Sequence, residues 1–175
     1  SAECEILSFG IDFTEGVINQ EEKSIKIEVP YGTALEQAIP EWTISDFAQM
    51  VKVPERLEYL QPLSYTVRAE NGTEQKYTVI IAETPAATGN SILSFSYGSI
   101  AGEFSETKPY IRLKVPYGTD LTKLKPVITA SLFAKVVPNS GEAVDFSQGP
   151  VEYTVTSQAG ESKTYKVEVI SADKP

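Results

Sequence analysis

The chain has 175 residues, 41 % hydrophobic and 22 % charged, an ordinary globular composition in which no apolar run reaches the roughly 18–20 residues of a helical membrane span. It contains no histidine and a single cysteine, which removes His-dependent triads, His-ligated zinc, His general bases and any intrachain disulfide. Its net charge of −9 lies in residues 1–83 (15 acidic against 6 basic), while residues 84–175 balance at 9 against 9, so neither half offers the basic face that nucleic acid requires.

From the N-terminus, no basic-then-apolar leader is visible, and an export signal is expected to be removed or to lie upstream. Cys4 follows Glu3, where a lipidation motif would place a small residue. It is expected to be a small, partly buried hydrophobe on the first strand. The run Ile6-Leu7-Ser8-Phe9 opens that strand. In "SIKIEV" the residues Ile25, Ile27 and Val29 alternate with Ser24, Lys26 and Glu28, the period of a half-buried strand. "VPYGT" at 29–33 then ends the ladder with proline and turns on glycine. "TALEQAIPEW" has room for one helical turn before Pro40 stops it.

The closing hairpin, "YTVRAENGTEQKYTVII", permits a register to be deduced. Its apolar residues Tyr65, Val67, Ala69, Tyr77, Val79 and Ile81 are all odd-numbered, so facing partners must sum to an even number. A two-residue Asn-Gly turn gives odd sums. A three-residue loop, Glu70-Asn71-Gly72, pairs Ala69 with Thr73 and Tyr65 with Tyr77, with Gly72 left-handed. The sequon Asn71-Gly72-Thr73 is explained by that glycine without a glycan. "AETPAATGN" follows, with one Pro, one Gly and no aliphatic or aromatic residue larger than alanine, and reads as a hinge or spacer.

The pattern then repeats. An offset of 86 carries Ile6-Leu7-Ser8-Phe9 onto Ile92-Leu93-Ser94-Phe95, "VPYGT" onto residues 115–119, Leu35 onto Leu121 and Phe47-Ala48 onto Phe133-Ala134. Later the offset is 88, carrying Tyr65-Thr66-Val67 onto Tyr153-Thr154-Val155, Gly72 onto Gly160 and Tyr77 onto Tyr165. Two copies of one structural unit follow. The second hairpin should close with Gln158-Ala159-Gly160, setting Tyr153 opposite Tyr165. Short strands separated by Gly, Pro and Asn, with no sustained helical period, predict an all-β chain of two tandem immunoglobulin-like antiparallel β-sandwiches: residues 1–83, a linker at 84–90, and residues 91–175.

The sequence "ILSF … VPYGT … SLFAKVVPNSGEAVDFS … VEYTV … AG … TYKVEV" resembles the tandem immunoglobulin-like and cadherin-like repeats of Bacteroidetes surface lipoproteins, over residues 5–82 and 91–171. The first copy departs from that spelling at "VKVPERLEYLQ", 51–61. The resemblance implies export, a lipid anchor upstream, and a stalk or accessory binding role at the outer-membrane surface. It brings no catalytic residues.

No catalytic residue, cofactor or metal ligand is expected, and the chain is read as no enzyme. "DFTE" at 12–15 and "EE" at 21–22 read as solvated turns rather than calcium ligands, with calcium between the domains left open. The first functional reading is a spacer or adhesive module, monomeric, meeting a protein or glycan at the cell surface. The alternative is a carbohydrate-binding accessory, with Trp42, Tyr31 and Tyr117 as candidate stacking residues. Trp42 has Ile128 as counterpart, and so falls outside the core pattern common to both copies. Tyr31 and Tyr117 either close one end of each sandwich, hydroxyl on backbone, or offer a platform for a sugar.

Overall fold

A computed structural model describes residues 1–175 and divides into two compact units, Ser1–Pro85 and Ala86–Pro175. The first contains β1 (Ile6–Ile11), β2 (Thr14–Glu15), β3 (Val17–Asn19), β4 (Ser24–Val29), β5 (Pro40–Ile44), β6 (Gln49–Lys52), β7 (Leu63–Arg68) and β8 (Glu74–Glu83). The second contains β9 (Ile92–Tyr97), β10 (Ile100–Ala101), β11 (Glu103–Phe104), β12 (Tyr110–Val115), β13 (Val127–Ala130), β14 (Lys135–Val137), β15 (Val151–Thr156) and β16 (Ser162–Ser171). Its one helical element is a 3-10 turn, Leu121–Lys123, capped by the Asp120 carboxylate. The chain is all-β, and each unit is a sandwich of one three-stranded and one five-stranded sheet.

The sheets run β2-β1-β5 and β3-β4-β8-β7-β6 in the first unit, and β10-β9-β13 and β11-β12-β16-β15-β14 in the second. Side chains alternate as the sequence requires. Ile25, Ile27 and Val29 are buried, as are Ile111, Leu113 and Val115, and each unit has its own apolar cluster. The expectation of wholly antiparallel sheets is corrected at one pair per unit, since β4 lies parallel to β8, and β12 parallel to β16. The reason is topological. The last strand of each unit comes back as the inner neighbour of a strand some fifty positions earlier, and hydrophobic alternation is the same for either strand direction.

The hairpin deduction holds in both copies. Tyr65 faces Tyr77 and Tyr153 faces Tyr165. The Ala69 amide donates to the Thr73 carbonyl (2.8 Å) and the Gly72 amide to the Ala69 carbonyl (2.9 Å). Gly72 and Gly160 have φ of 89° and 93°. A Cβ at Gly160 would meet nothing within 4 Å, so its only cost is backbone strain. Gly160→Ala should therefore destabilise the second unit by about 1–2 kcal/mol, lowering its melting midpoint by roughly 4 °C or more. An unchanged midpoint in a thermal scan would remove the left-handed requirement.

"VPYGT" proves to be a strand exit into a type II turn. The Thr33 amide donates to the Pro30 carbonyl and the Thr119 amide to the Pro116 carbonyl, both at 3.2 Å, with Gly32 and Gly118 at φ 81° in the third position. Each threonine hydroxyl closes onto the same carbonyl, at 2.7 and 2.8 Å.

In the stretch read as a hinge or spacer, 84–90, backbone hydrogen bonds run into each unit. The Thr84 amide donates to the Val29 carbonyl (2.9 Å) within the first unit. In the second, the Ala87 amide donates to the Gln158 side chain (2.8 Å) and the Ala159 amide to the Ala87 carbonyl (3.0 Å). The first unit repeats this docking, with the Asn71 amide on the Ser1 carbonyl at 3.2 Å.

Candidate functional site

Trp42 lies on β5, the open edge of the three-stranded sheet, directly opposite Phe9 of β1. Pro40, Trp42 and Ile44 point inward by the period of two, while Glu41 and Thr43 point to solvent. The indole is half-buried and meets the Tyr65 ring edge-on (5.8 Å between centroids, 66°), and Phe9 meets the same ring at 5.1 Å and 76°. Its counterpart Ile128 is buried in the second core, so Trp42 does occupy a position of the common core pattern. The expectation that it falls outside is corrected. An isoleucine and a tryptophan share a hydrophobic slot poorly in size, and the larger ring reaches the rim.

The rim it reaches is a groove of about 310 Å³, walled by Trp42 and Leu35 on one side and by Val53, Pro54, Arg56 and Leu57 on the other. The facing wall is the first copy's departure from the repeat, residues 51–61. Its base is fixed where the Tyr59 hydroxyl donates to the Thr33 carbonyl (2.6 Å) and the Leu60 amide to the Ile81 carbonyl (2.9 Å). Burial pushes the Tyr59 hydroxyl up from its ordinary pKa, with Glu83 and Glu36 adding to the effect. Arg56 pairs with Glu58 on the outer side. At the bottom, the Tyr65 hydroxyl is buried without a hydrogen-bond partner, and burial raises its pKa to about 12. A mostly apolar cleft with a few charged groups at its rim suits a small amphipathic ligand.

The second unit fills the same place. Phe146 is buried and stacks on Tyr153 at 6.3 Å and 11°, its amide donating to the Leu121 carbonyl at 2.8 Å. Leu121 and Tyr153 are the counterparts of Leu35 and Tyr65, so the ring packs on the counterparts of two residues that line the first unit's groove. Tyr153 carries the same unpartnered hydroxyl, held in its neutral form by burial.

Tyr31 and Tyr117 are not brought to this groove. Each occupies the second position of its type II turn and is about half exposed, 45 % and 57 %. Neither hydroxyl bonds to backbone, as closing the end of a sandwich would have it do. Sequence reasoning missed Val53, Pro54 and Arg56. The available signal was the departure of "VKVPERLEYLQ" from the second copy.

No helix is long and apolar enough to cross a membrane. No curated protein matches the chain. Among solved structures, one from Bacteroides thetaiotaomicron described as a "putative glycoside hydrolase" is 31 % identical, with a TM-score of 0.44 over 53 % of this chain. This chain spans only 28 % of that protein's length. Another, described as a "putative secreted protein" from Bacteroides fragilis, is 13 % identical, with a TM-score of 0.40 over 51 % of this chain and all of the other. The sequence profile of the family described as "SGBP, N-terminal" matches residues 6–81 and again 92–169. Two consecutive matches account for most of the chain, and it belongs to the SGBP N-terminal family.

Proposed function

We propose that the chain is a non-enzymatic, glycan-binding part of a Bacteroidetes surface protein, in which the Trp42 groove holds a saccharide. The initials of its family stand for surface glycan binding, which favours the accessory-module reading over the spacer reading. The observation that carries the assignment is the contrast between copies: the place plugged by Phe146 in the second unit is an open, tryptophan-walled groove in the first. A sugar's apolar face would lie along the indole rim, with Arg56 and Glu55 available to its hydroxyls. The second unit keeps the spacer role, and the two sandwiches are read as immunoglobulin-like, exported and lipid-anchored upstream.

Trp42 is the only tryptophan, so tryptophan emission arises from the wall of this groove. Titration with soluble polysaccharides should quench or shift that emission, and Trp42→Ala should weaken binding at least about tenfold. A flat response across neutral and acidic glycans would end the proposal.

A further inference from the structure

Trp42's neighbours on the same strand, Glu41 and Thr43, face the other way, onto a second groove of about 560 Å³ on the outer face of the β2-β1-β5 sheet, which Phe9 and Trp42 also border. Its floor is Gly10, which has Glu15 beside it on β2 and Glu41 beside it on β5. A bare glycine thus lies between two carboxylate-bearing neighbours, whose backbones are roughly 10 Å apart across three strands. The Ser8 and Thr43 hydroxyls, 2.6 Å apart, line one end. Phe13 lines the other.

Phe13 is unusual on three counts. It is fully exposed. It sits with Asp12 in a two-residue turn between the paired residues Ile11 and Thr14, both turn residues left-handed at φ 44° and 69°. That geometry favours Asn-Gly and strains a phenylalanine. The turn is also pinned, since the Ile39 amide donates to the Asp12 carboxylate (3.0 Å) and the Asp12 amide to the Ile39 carbonyl (3.4 Å). The second unit makes the equivalent turn with Gly98 and Ser99, and only Gly98 is left-handed. Phe47 and Phe133 are left-handed in both copies and belong to a turn common to the repeat. Phe13 does not.

Every distinctive position of this groove is altered in the second unit. Ser96 replaces Gly10, Ala101 replaces Glu15, Val127 replaces Glu41 and Ser99 replaces Phe13. The second unit builds the same sheet without any of the four. Part of Gly10's role is steric, because a Cβ there would come within 2.9 Å of the Thr14 carbonyl. Nothing comparable accounts for the two carboxylates or the aromatic ring. Strain kept in one copy, on a rigid turn, at a ring that packs against nothing, marks a group held ready for a ligand.

We infer that this face is a second saccharide subsite, taking an uncharged pyranose over Gly10 with Phe13 as stacking platform and Glu15 and Glu41 as hydroxyl acceptors. The inference rests on the glycan-binding reading above and narrows it. Two carboxylates within a unit that carries the whole −9 repel uronates and sulfated sugars, so the ligand class is neutral polysaccharide.

The test uses the full chain, with soluble β-glucan, α-glucan and mannan as neutral probes and polygalacturonate and heparin as acidic ones. Binding is followed by calorimetry and, separately, by Trp42 emission. Phe13→Gly relieves the strained turn while deleting the platform, and should raise the melting midpoint yet weaken binding of the neutral probe about five- to tenfold. Glu41→Gln should weaken it several-fold. If the wild-type chain binds a neutral glycan and both variants bind it equally well, this subsite is overturned and the Trp42 groove stands. Acidic glycans binding as tightly as neutral ones would also overturn it. A wild-type chain that binds no glycan removes the underlying reading and this inference with it.

Discussion

Leu113→Ala should unfold the second unit selectively. Leu113 is completely buried on β12, between β11 and the parallel strand β16. Deleting a buried leucine side chain costs about 2–5 kcal/mol, lost transfer energy plus the cavity left behind. A unit of this size has only about 5–10 kcal/mol in total, so the loss takes from about a fifth to all of its stability. The first unit's apolar cluster includes no residue of the second. Trp42 belongs to the first unit and is the sole tryptophan, which makes the experiment clean. In a urea titration its emission should keep the wild-type midpoint, while far-ultraviolet dichroism splits into two transitions. Movement of the tryptophan midpoint along with the dichroism would mean that the sandwiches fold as one cooperative body.

Phe146→Ala should cost the second unit about 3–5 kcal/mol and open a cleft where the first unit has one. The ring is buried, stacked on Tyr153, and anchored by its own amide. It also shields Tyr153, whose hydroxyl already lacks a partner. Removing it lets water reach that hydroxyl, which offsets part of the loss, so the cost should fall in the lower half of the range. Chemical denaturation followed by dichroism measures it. A loss below about 1 kcal/mol would show that the ring covers the site without holding it together, and would weaken the contrast on which the Trp42 assignment depends.

The hairpins were legible from parity alone. Odd-numbered core residues and a glycine at the third loop position leave one register, and both copies adopt it. The twofold repeat and the all-β class were equally plain, because alternation at Ile25–Val29 and Ile111–Val115 is a direct record of which face is buried. Strand direction was not legible: Ile25 facing Val79 in parallel buries the same side chains as an antiparallel partner would. The sites were less legible still. Trp42 was noticed as a residue type, but its inward aim follows from the pairing with Phe9 across β1 and β5, which are far apart in sequence. Glu15, Gly10 and Glu41 come from three different strands, and only the assembled sheet brings them together. Phe13 lay inside "DFTE", read from its carboxylates as a solvated turn; what sets it apart is a backbone angle that composition does not encode.

The position of β8 bears on how the molecule can be made. It occupies the centre of its sheet, between β4 and β7, although it is the last strand of its unit to be synthesised, and β16 does the same in its own. During synthesis the first unit therefore waits with two half-sheets and no keystone until Glu83, the end of β8, is free. Closure of such distant pairings is slow, and until then the exposed borders of β4 and β7 are open to foreign strands. Having short, self-sufficient halves confines that vulnerable interval to one half at a time.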